Sequence, residues 1–253
     1  MWSQNGNDRR ITLFLLCVIL TGQLWSSRDI GVTARVPCRR GPLAALNQEI
    51  YHENRRGIGL AMAQAALADG HHVTVLARTP GRMSLSHANL RIVAGNAEDA
   101  DAIAKVVEGQ DVVCDCLGST NVTQKITMFS RCAENLAKAL KPDQLLIAVT
   151  GIGSGDSRGH GGFLYDYLFM PIVLRRMYAD KDRQERIITS NLSRWIIVRP
   201  GFLTNGPQTG RYRALTDLKG IHGGRISRAD VADFMLSQAR SPQFVGQTPL
   251  LIY

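Results

Sequence analysis

Arg55-Arg56-Gly57-Ile58-Gly59 opens a segment with Leu60, Ala63 and Leu67 at helical spacing. Two glycines at a helix start let the backbone turn tightly and approach an anion, toward which the free N–H groups of the first turn point. Arg56, Gly57, Ile58 and Gly59 are therefore candidates for a phosphate cradle. Further on, Arg78 follows the apolar run His72–Ala77, and Arg82 stands four residues later. An acidic residue at that point accepts the ribose hydroxyls of NAD, whereas an arginine pairs with a 2′-phosphate and stacks on adenine. The pair predicts NADP(H) in preference to NAD(H), against the plain alternative of surface arginines in a loop.

Such a cradle needs strands and helices in alternation to hold it. Helices are predicted over Gly57–Asp69 (with Gly70 as the terminating glycine), Ala100–Val107, Asn121–Leu140, Ile172–Ser190 and Arg228–Arg240, the last opened by Ser227 as N-cap. Strands are predicted over His72–Ala77, Leu90–Ala94, Asp111–Leu117, Gln144–Thr150, Trp195–Val198 and Pro249–Tyr253. The strands are continuously apolar instead of alternating, which predicts a parallel sheet buried on both faces. The fold class is α/β, a single Rossmann-like doubly wound sheet. Neither an internal repeat nor a linker divides the chain after Gly57.

Composition narrows the function classes. Hydrophobic residues at 45% and charged residues at 20% exclude a wholly disordered or collagen-like chain. The net charge of +9 is spread along the sequence, and only 6% of residues are aromatic, so no nucleic-acid partner is expected. The five cysteines form neither a paired framework nor a metal motif, and no metal is expected. Free thiols point to a reducing compartment.

Four stretches carry a specific resemblance: RRGIGLAMAQAALADGHHVTVLARTPGRM, LRIVAGNAEDADAIAKVVEGQDVVCDCLGS, WIIVRPGFLTNGPQTGRY and GRISRADVADFM. With what lies between them they cover about four fifths of the chain. The chain resembles the atypical short-chain dehydrogenase/reductase proteins with an NAD(P)H-binding domain, the biliverdin-IXβ reductase (flavin reductase) and NmrA-like group. Position by position, the resemblance implies that Gly57 and Gly59 are phosphate-loop glycines and that Arg78 and Arg82 flank the 2′-phosphate. It implies that Asn96 lies beside the adenine, where relatives usually have Asp, and that Leu117, Gly118 and Ser119 line the middle of the cofactor. Thr150 then begins the loop beside the nicotinamide, and Pro200, Gly201 and Phe202 wrap that end.

Reduction by hydride transfer also needs a proton source. Short-chain reductases commonly use Ser with Tyr-x-x-x-Lys; here Tyr178 and Lys181 are one residue closer, an offset that still shares a helix face. Lys181 resembles the lysine that atypical members place upstream of Arg-Pro-Gly, with an implied role on the ribose hydroxyls; the alternative is a solvated lysine. Glu185, one turn on, is a candidate partner for Lys181. Where flavin-reductase relatives carry a serine, Thr150-Gly151 stands, so the catalytic hydroxyl is Thr150, Ser154 or neither. The glycine-rich segment 151–162 leads into an aromatic run, which makes His160, Tyr165 and Tyr167 candidate substrate contacts under a mobile lid; a packed helix face is the alternative.

The front end departs from this pattern. Relatives begin with an apolar strand and a three-glycine turn, but Leu46–Asn54 is polar and Glu53 falls where the first glycine belongs. A carboxylate about 4 Å from a phosphate charge would cost roughly 4 kcal/mol, so weak cofactor binding is expected. Arg9-Arg10 and the apolar run 11–20 read as a signal-like segment or anchor, a partly disordered extension, or the mark of a displaced start. The expected division is thus an N-terminal extension over 1–45 and the nucleotide-binding domain over 46–253.

The function expected is NADPH-dependent reduction of a small planar substrate of flavin, quinone or tetrapyrrole type, in a cytoplasmic monomer or weak homodimer. The alternatives are a non-catalytic NADP-binding sensor with a degenerate site, or a chain anchored in or exported through a membrane by residues 9–22.

Overall fold

The computed structural model describes residues 12–16, 57–119, 126–163 and 165–253. The elements run β1 (Thr12–Leu16), α1 (Ile58–Ala68), β2 (His72–Ala77), β3 (Leu90–Ala94), α2 (Ala100–Val107), β4 (Val112–Asp115), α3 (Met128–Ala139) and β5 (Leu145–Val149). A π-helix over Tyr165–Leu174 runs directly into α4 (Arg175–Asn191). They are followed by β6 (Trp195–Pro200), β7 (Phe202–Thr204), β8 (Arg213–Leu215), β9 (Arg225–Ser227), α5 (Arg228–Arg240) and β10 (Leu250–Ile252).

Eight strands form one sheet in the order β3-β2-β1-β4-β5-β6-β10-β8, parallel except for β8, which runs against β10. β7 and β9 pair separately and in parallel. Successive residues of the central strands face opposite layers. Val73, Val75, Cys114, Ile147 and Val198 join the core beneath α1 and α5, while Leu76, Val113, Leu146, Ala148 and Ile197 join the core beneath α2 and α3. This two-sided burial is why the strands are continuously apolar. Each fully buried Val, Leu or Ile contributes about 1.5–3 kcal/mol.

The first strand is the main correction to the sequence reading. Thr12–Leu16, read there as part of a signal-like segment or anchor, a partly disordered extension or the mark of a displaced start, pairs with β2 on one edge and β4 on the other, in register from Thr12 opposite His72 to Leu16 opposite Leu76. A strand bonded on both edges in mid-sheet is not available to a bilayer in this fold. It also takes the position assigned to Leu46–Asn54, so the sheet draws on residues upstream of 46. Leu46–Asn54 and Glu53 lie outside the described residues.

Smaller differences concern ends and short pieces. The third helix, predicted from Asn121, is described from Met128. The fourth helical stretch begins at Tyr165, upstream of the predicted Ile172, because its first ten residues are π-helical. Among the described residues, no helix is long and apolar enough to cross a membrane.

Candidate active site

The carboxyl ends of β1 to β6 share one edge of the sheet. In the order β3-β2-β1-β4-β5-β6, connections leave β1 and β4 in opposite directions, and a crevice forms at such a switch point. At this edge Gly57 is the N-cap of α1 in an extended conformation (φ −136°, ψ 141°), and the first turn has neither a side-chain cap nor an acidic residue. Among the described residues, a Cβ on Gly57 would meet nothing nearer than the Gly59 nitrogen at 4.0 Å. Among the described residues no side chain caps the first-turn amides, so this part of the cradle fits a dinucleotide phosphate. Arg56 lies outside the described residues, and Ile58 is buried beneath the turn.

Arg78 directly follows β2, is exposed and makes no ion pair among the described residues. Arg82 ends the 3₁₀ turn Pro80–Arg82 beyond it. Asn96 follows β3, and its Oδ1 accepts the Glu98 amide at 3.2 Å, shaping the turn into α2. A Cβ on Gly95 would lie 2.6 Å from Leu76 Cδ1 and 3.2 Å from Ala102 Cβ, so a larger residue there would have to displace the Leu76 side chain. After β4, the Leu117 amide donates to Asp115 at 3.1 Å, Leu117 is buried and Gly118 is exposed; Ser119 follows. These residues are therefore gathered along one edge.

At the β5 and β6 ends the side chains are tightly engaged. The Thr150 hydroxyl donates to Glu185 Oε1 at 2.7 Å. Glu185 pairs with Arg199, not with Lys181 as expected: Arg199 Nε lies 3.0 Å from Oε1 and Nη2 lies 2.7 Å from Oε2. Asp156 meets the same guanidinium from the solvent side. Burial opposes the Arg199 charge, but Glu185 and Asp156 outweigh it and hold the guanidinium firmly protonated.

Lys181 is not a solvated lysine. It is 4% exposed, donates to the Val149 carbonyl at 3.1 Å and lies 4.2 Å above the Phe129 ring. Burial lowers its pKa to about 8, against the opposing pull of Asp115, Glu185 and Asp180. The ammonium is seated at the end of β5, among carboxylates that sequence spacing did not reveal. Asp115, fully buried, accepts from Gln184 at 2.8 Å, and burial raises its pKa. Asp180 caps α3 from α4, accepting the Phe129 amide at 3.0 Å and the Ser130 hydroxyl at 2.6 Å, where Thr127 supplies no side-chain cap. The Ser154 hydroxyl is buried without a partner among the described residues.

The tyrosines meet where the loop after β5 folds against α4. Tyr178 is 7% exposed, and its hydroxyl lies 2.7 Å from that of half-buried Tyr165. His160 contacts the Ile221 carbonyl through Nδ1 at 2.9 Å, and its own carbonyl accepts from Gly223. The Phe202 amide bonds to Gly224 at 2.8 Å, so the loops carrying His160 and Phe202 join through residues 223–224. Phe163, Tyr167, Leu168 and Phe202 are all exposed, and the Phe163 and Tyr167 rings lie 5.0 Å apart. Tyr167 thus belongs to an exposed aromatic pair with Phe163, while Tyr165 is half-buried beside Tyr178.

Pro200 ends β6 and Gly201 passes close to β10. A Cβ on Gly201 would lie 2.6 Å from the Gly224 carbonyl oxygen and 2.9 Å from Ile252 Cγ2. Beyond it, Asp230 is fully buried and accepts from the Thr209 and Gly210 amides (2.7 and 2.9 Å) and from the Tyr253 hydroxyl (2.6 Å). That cradle fixes the 205–212 loop, and sequence reading did not find it.

A family model described as NAD(P)H-binding matches residues 55–242. The chain belongs to the NAD(P)H-binding family. The resemblance to atypical short-chain dehydrogenase/reductase proteins holds at this level, and the fold agrees. The chain is similar to ChuY, an anaerobilin reductase from Escherichia coli O157:H7, with 22% identity and a TM-score of 0.64 over 78% of this chain and 92% of that one. It is also similar to the oxidoreductase ylbE from Lactococcus lactis, at 18% identity and TM-score 0.63 over 77% and 85% of the two chains. A third similar structure is SP1627 from Streptococcus pneumoniae TIGR4, proposed to be an NADH-flavin reductase, at 20% identity and TM-score 0.61 over 77% and 93%.

Proposed function

We propose that the chain is an NADPH-dependent reductase of a small planar acceptor of flavin, quinone or tetrapyrrole type. The observation that supports this reading is that the α1 N-terminus without a side-chain cap, the exposed Arg78 after β2 and the exposed Phe202 after β6 all belong to the strand ends of one parallel sheet. The reading assigns Arg56, Gly57, Ile58 and Gly59 to the phosphates, Arg78 and Arg82 to the 2′-phosphate and Asn96 to the adenine side. Leu117, Gly118 and Ser119 line the middle, while Thr150, Lys181, Pro200, Gly201 and Phe202 frame the nicotinamide end. When bound, NADPH supplies a hydride. The residues hold the acceptor against it: the exposed rings of Phe163, Tyr167 and Phe202 offer faces for a flat conjugated molecule. The anaerobilin reductase and flavin reductase names of similar structures agree with such acceptors.

The folded unit proposed runs from β1 to Tyr253, with residues 17–56 intervening between the first strand and its helix, in a cytoplasmic monomer or weak homodimer. A second reading, a non-catalytic NADP-binding sensor, draws on the commitment of the Thr150 hydroxyl to Glu185.

The test is NADPH oxidation by the purified full-length chain against FMN, a naphthoquinone and a linear tetrapyrrole. Turnover with at least one acceptor is expected. NADPH binding with no turnover on any of them would favour the sensor.

A further inference from the structure

We propose that Tyr165 is the proton donor of this reduction and that Tyr178 is its positioning residue, an assignment that rests on the reductase reading above. Four hydroxyls lie near the end of β5, and hydrogen-bond accounting separates them. Thr150 spends its one proton on Glu185 at 2.7 Å, within the buried Arg199 pair. Ser154 is fully buried. The Tyr165 hydroxyl lies 3.3 Å from the Ile152 carbonyl, which can only accept, and 2.7 Å from the Tyr178 hydroxyl; the arrangement that satisfies both contacts gives the Tyr165 proton to Ile152 and the Tyr178 proton to the Tyr165 oxygen. Tyr178 is buried and its proton is engaged; Tyr165 is half-buried, and its proton sits on the longest of these bonds. Transferring that proton to a substrate gives up little.

The surrounding chain is shaped for this pair. A Cβ on Gly161 would lie 2.2 Å from Tyr165 Cδ1, and one on Gly151 would lie 2.8 Å from the Tyr178 hydroxyl. Two glycines of one loop thus vacate the space the two tyrosines fill. Tyr165 opens the π-helix that runs into α4, and the exposed Tyr167 follows two residues on. Burial raises the pKa of the Tyr165 hydroxyl, with Tyr178 pulling the other way, so it stays protonated at neutral pH.

In the step, the acceptor gains a hydride at one atom and, at a conjugated oxygen or nitrogen, the proton from Tyr165. The Tyr165 O–H bond breaks and a new O–H or N–H bond forms. NADPH loses two electrons and the acceptor gains them. The phenolate left on Tyr165 is held by the Tyr178 hydrogen bond and takes up a proton from solvent before the next turnover.

The full-length chain and its Tyr165→Phe and Tyr178→Phe variants are compared as NADPH oxidases across pH with the best acceptor of the panel, alongside Tm and NADPH affinity. For Tyr165→Phe, kcat should fall roughly a hundredfold, the loss expected for a general acid, with KM and NADPH affinity within about twofold. Its kcat should also decline with rising pH, because solvent must now supply the proton. Tyr178→Phe should lower kcat about tenfold and keep the unchanged chain's pH profile. A Tyr165→Phe variant with kcat and pH profile unchanged overturns the proposal alone, as does a loss that follows Tm in both variants without a change of profile. Failure of the unchanged chain to oxidise NADPH with any acceptor overturns the reductase reading as well.

Discussion

Arg199 of β6 and Glu185 of α4 form a two-pronged buried ion pair, with contacts of 3.0 and 2.7 Å, and Thr150 donates to the same carboxylate. The pair ties helix, strand and the loop after β5 together beside the proposed nicotinamide end. Removing one partner leaves the other charged in the interior, which costs about 3–5 kcal/mol. Glu185→Ala should therefore lose about that much in urea unfolding, whereas the double variant Glu185→Leu/Arg199→Met should recover most of it. Equal losses in the single and double variants would contradict the pairing.

Gly201 is fixed by contact distance. Its missing Cβ would strike the Gly224 carbonyl oxygen at 2.6 Å, which is backbone and cannot swing aside. Gly201→Ala must push β6 away from the 223–225 turn, at a cost of about 1–3 kcal/mol. Because Phe202 hangs on that turn, acceptor KM should rise more than NADPH affinity falls. Wild-type stability in this variant would show the approach to be looser than described.

Asp230 predicts an acid limb to the stability curve. Burial alone would raise its pKa, but hydrogen bonds from Tyr253, Gly210 and Thr209 outweigh burial and lower it. A carboxylate with a depressed folded pKa contributes stability that is fully present above its unfolded value, near 3.8, and is lost as pH falls through the folded value. Asp230→Asn should cost about 1–3 kcal/mol at pH 7 and flatten the Tm–pH curve on the acid side. An unchanged acid slope would remove the carboxylate from the account.

Much of the fold was legible in the sequence. His72–Ala77, Leu90–Ala94, Ala100–Val107 and Arg228–Arg240 match their predicted bounds. The first two are apolar runs in a β-α alternation; the helices are opened by Asp99 and Ser227, both of which accept amide bonds. Thr12–Leu16 was misread because a short apolar run behind two arginines has the local signature of a leader as well as of a central strand. Only its pairing with β2 and β4 decides between them. The three-residue strands β7, β8 and β9 are too short to show a period, and a π-helix breaks the 3.6-residue spacing that marks an α-helix. Strand order brings the glycines and Arg78 that the sequence singles out to one edge of the sheet. The Arg199–Glu185, Tyr165–Tyr178 and Asp180–Ser130 contacts join separate elements, so local spacing carries no trace of them.

The proposed cradle at Gly57 and Arg78 is tested most directly by calorimetric titration of the full-length chain and its Arg78→Ala variant with NADPH and with NADH. A charge-assisted contact to the 2′-phosphate contributes about 1.5–3 kcal/mol, so NADPH should bind at least about tenfold tighter than NADH, and Arg78→Ala should abolish that preference while leaving NADH affinity nearly unchanged. Equal affinity for the two nucleotides in the unchanged chain, or a preference that survives Arg78→Ala, would contradict it.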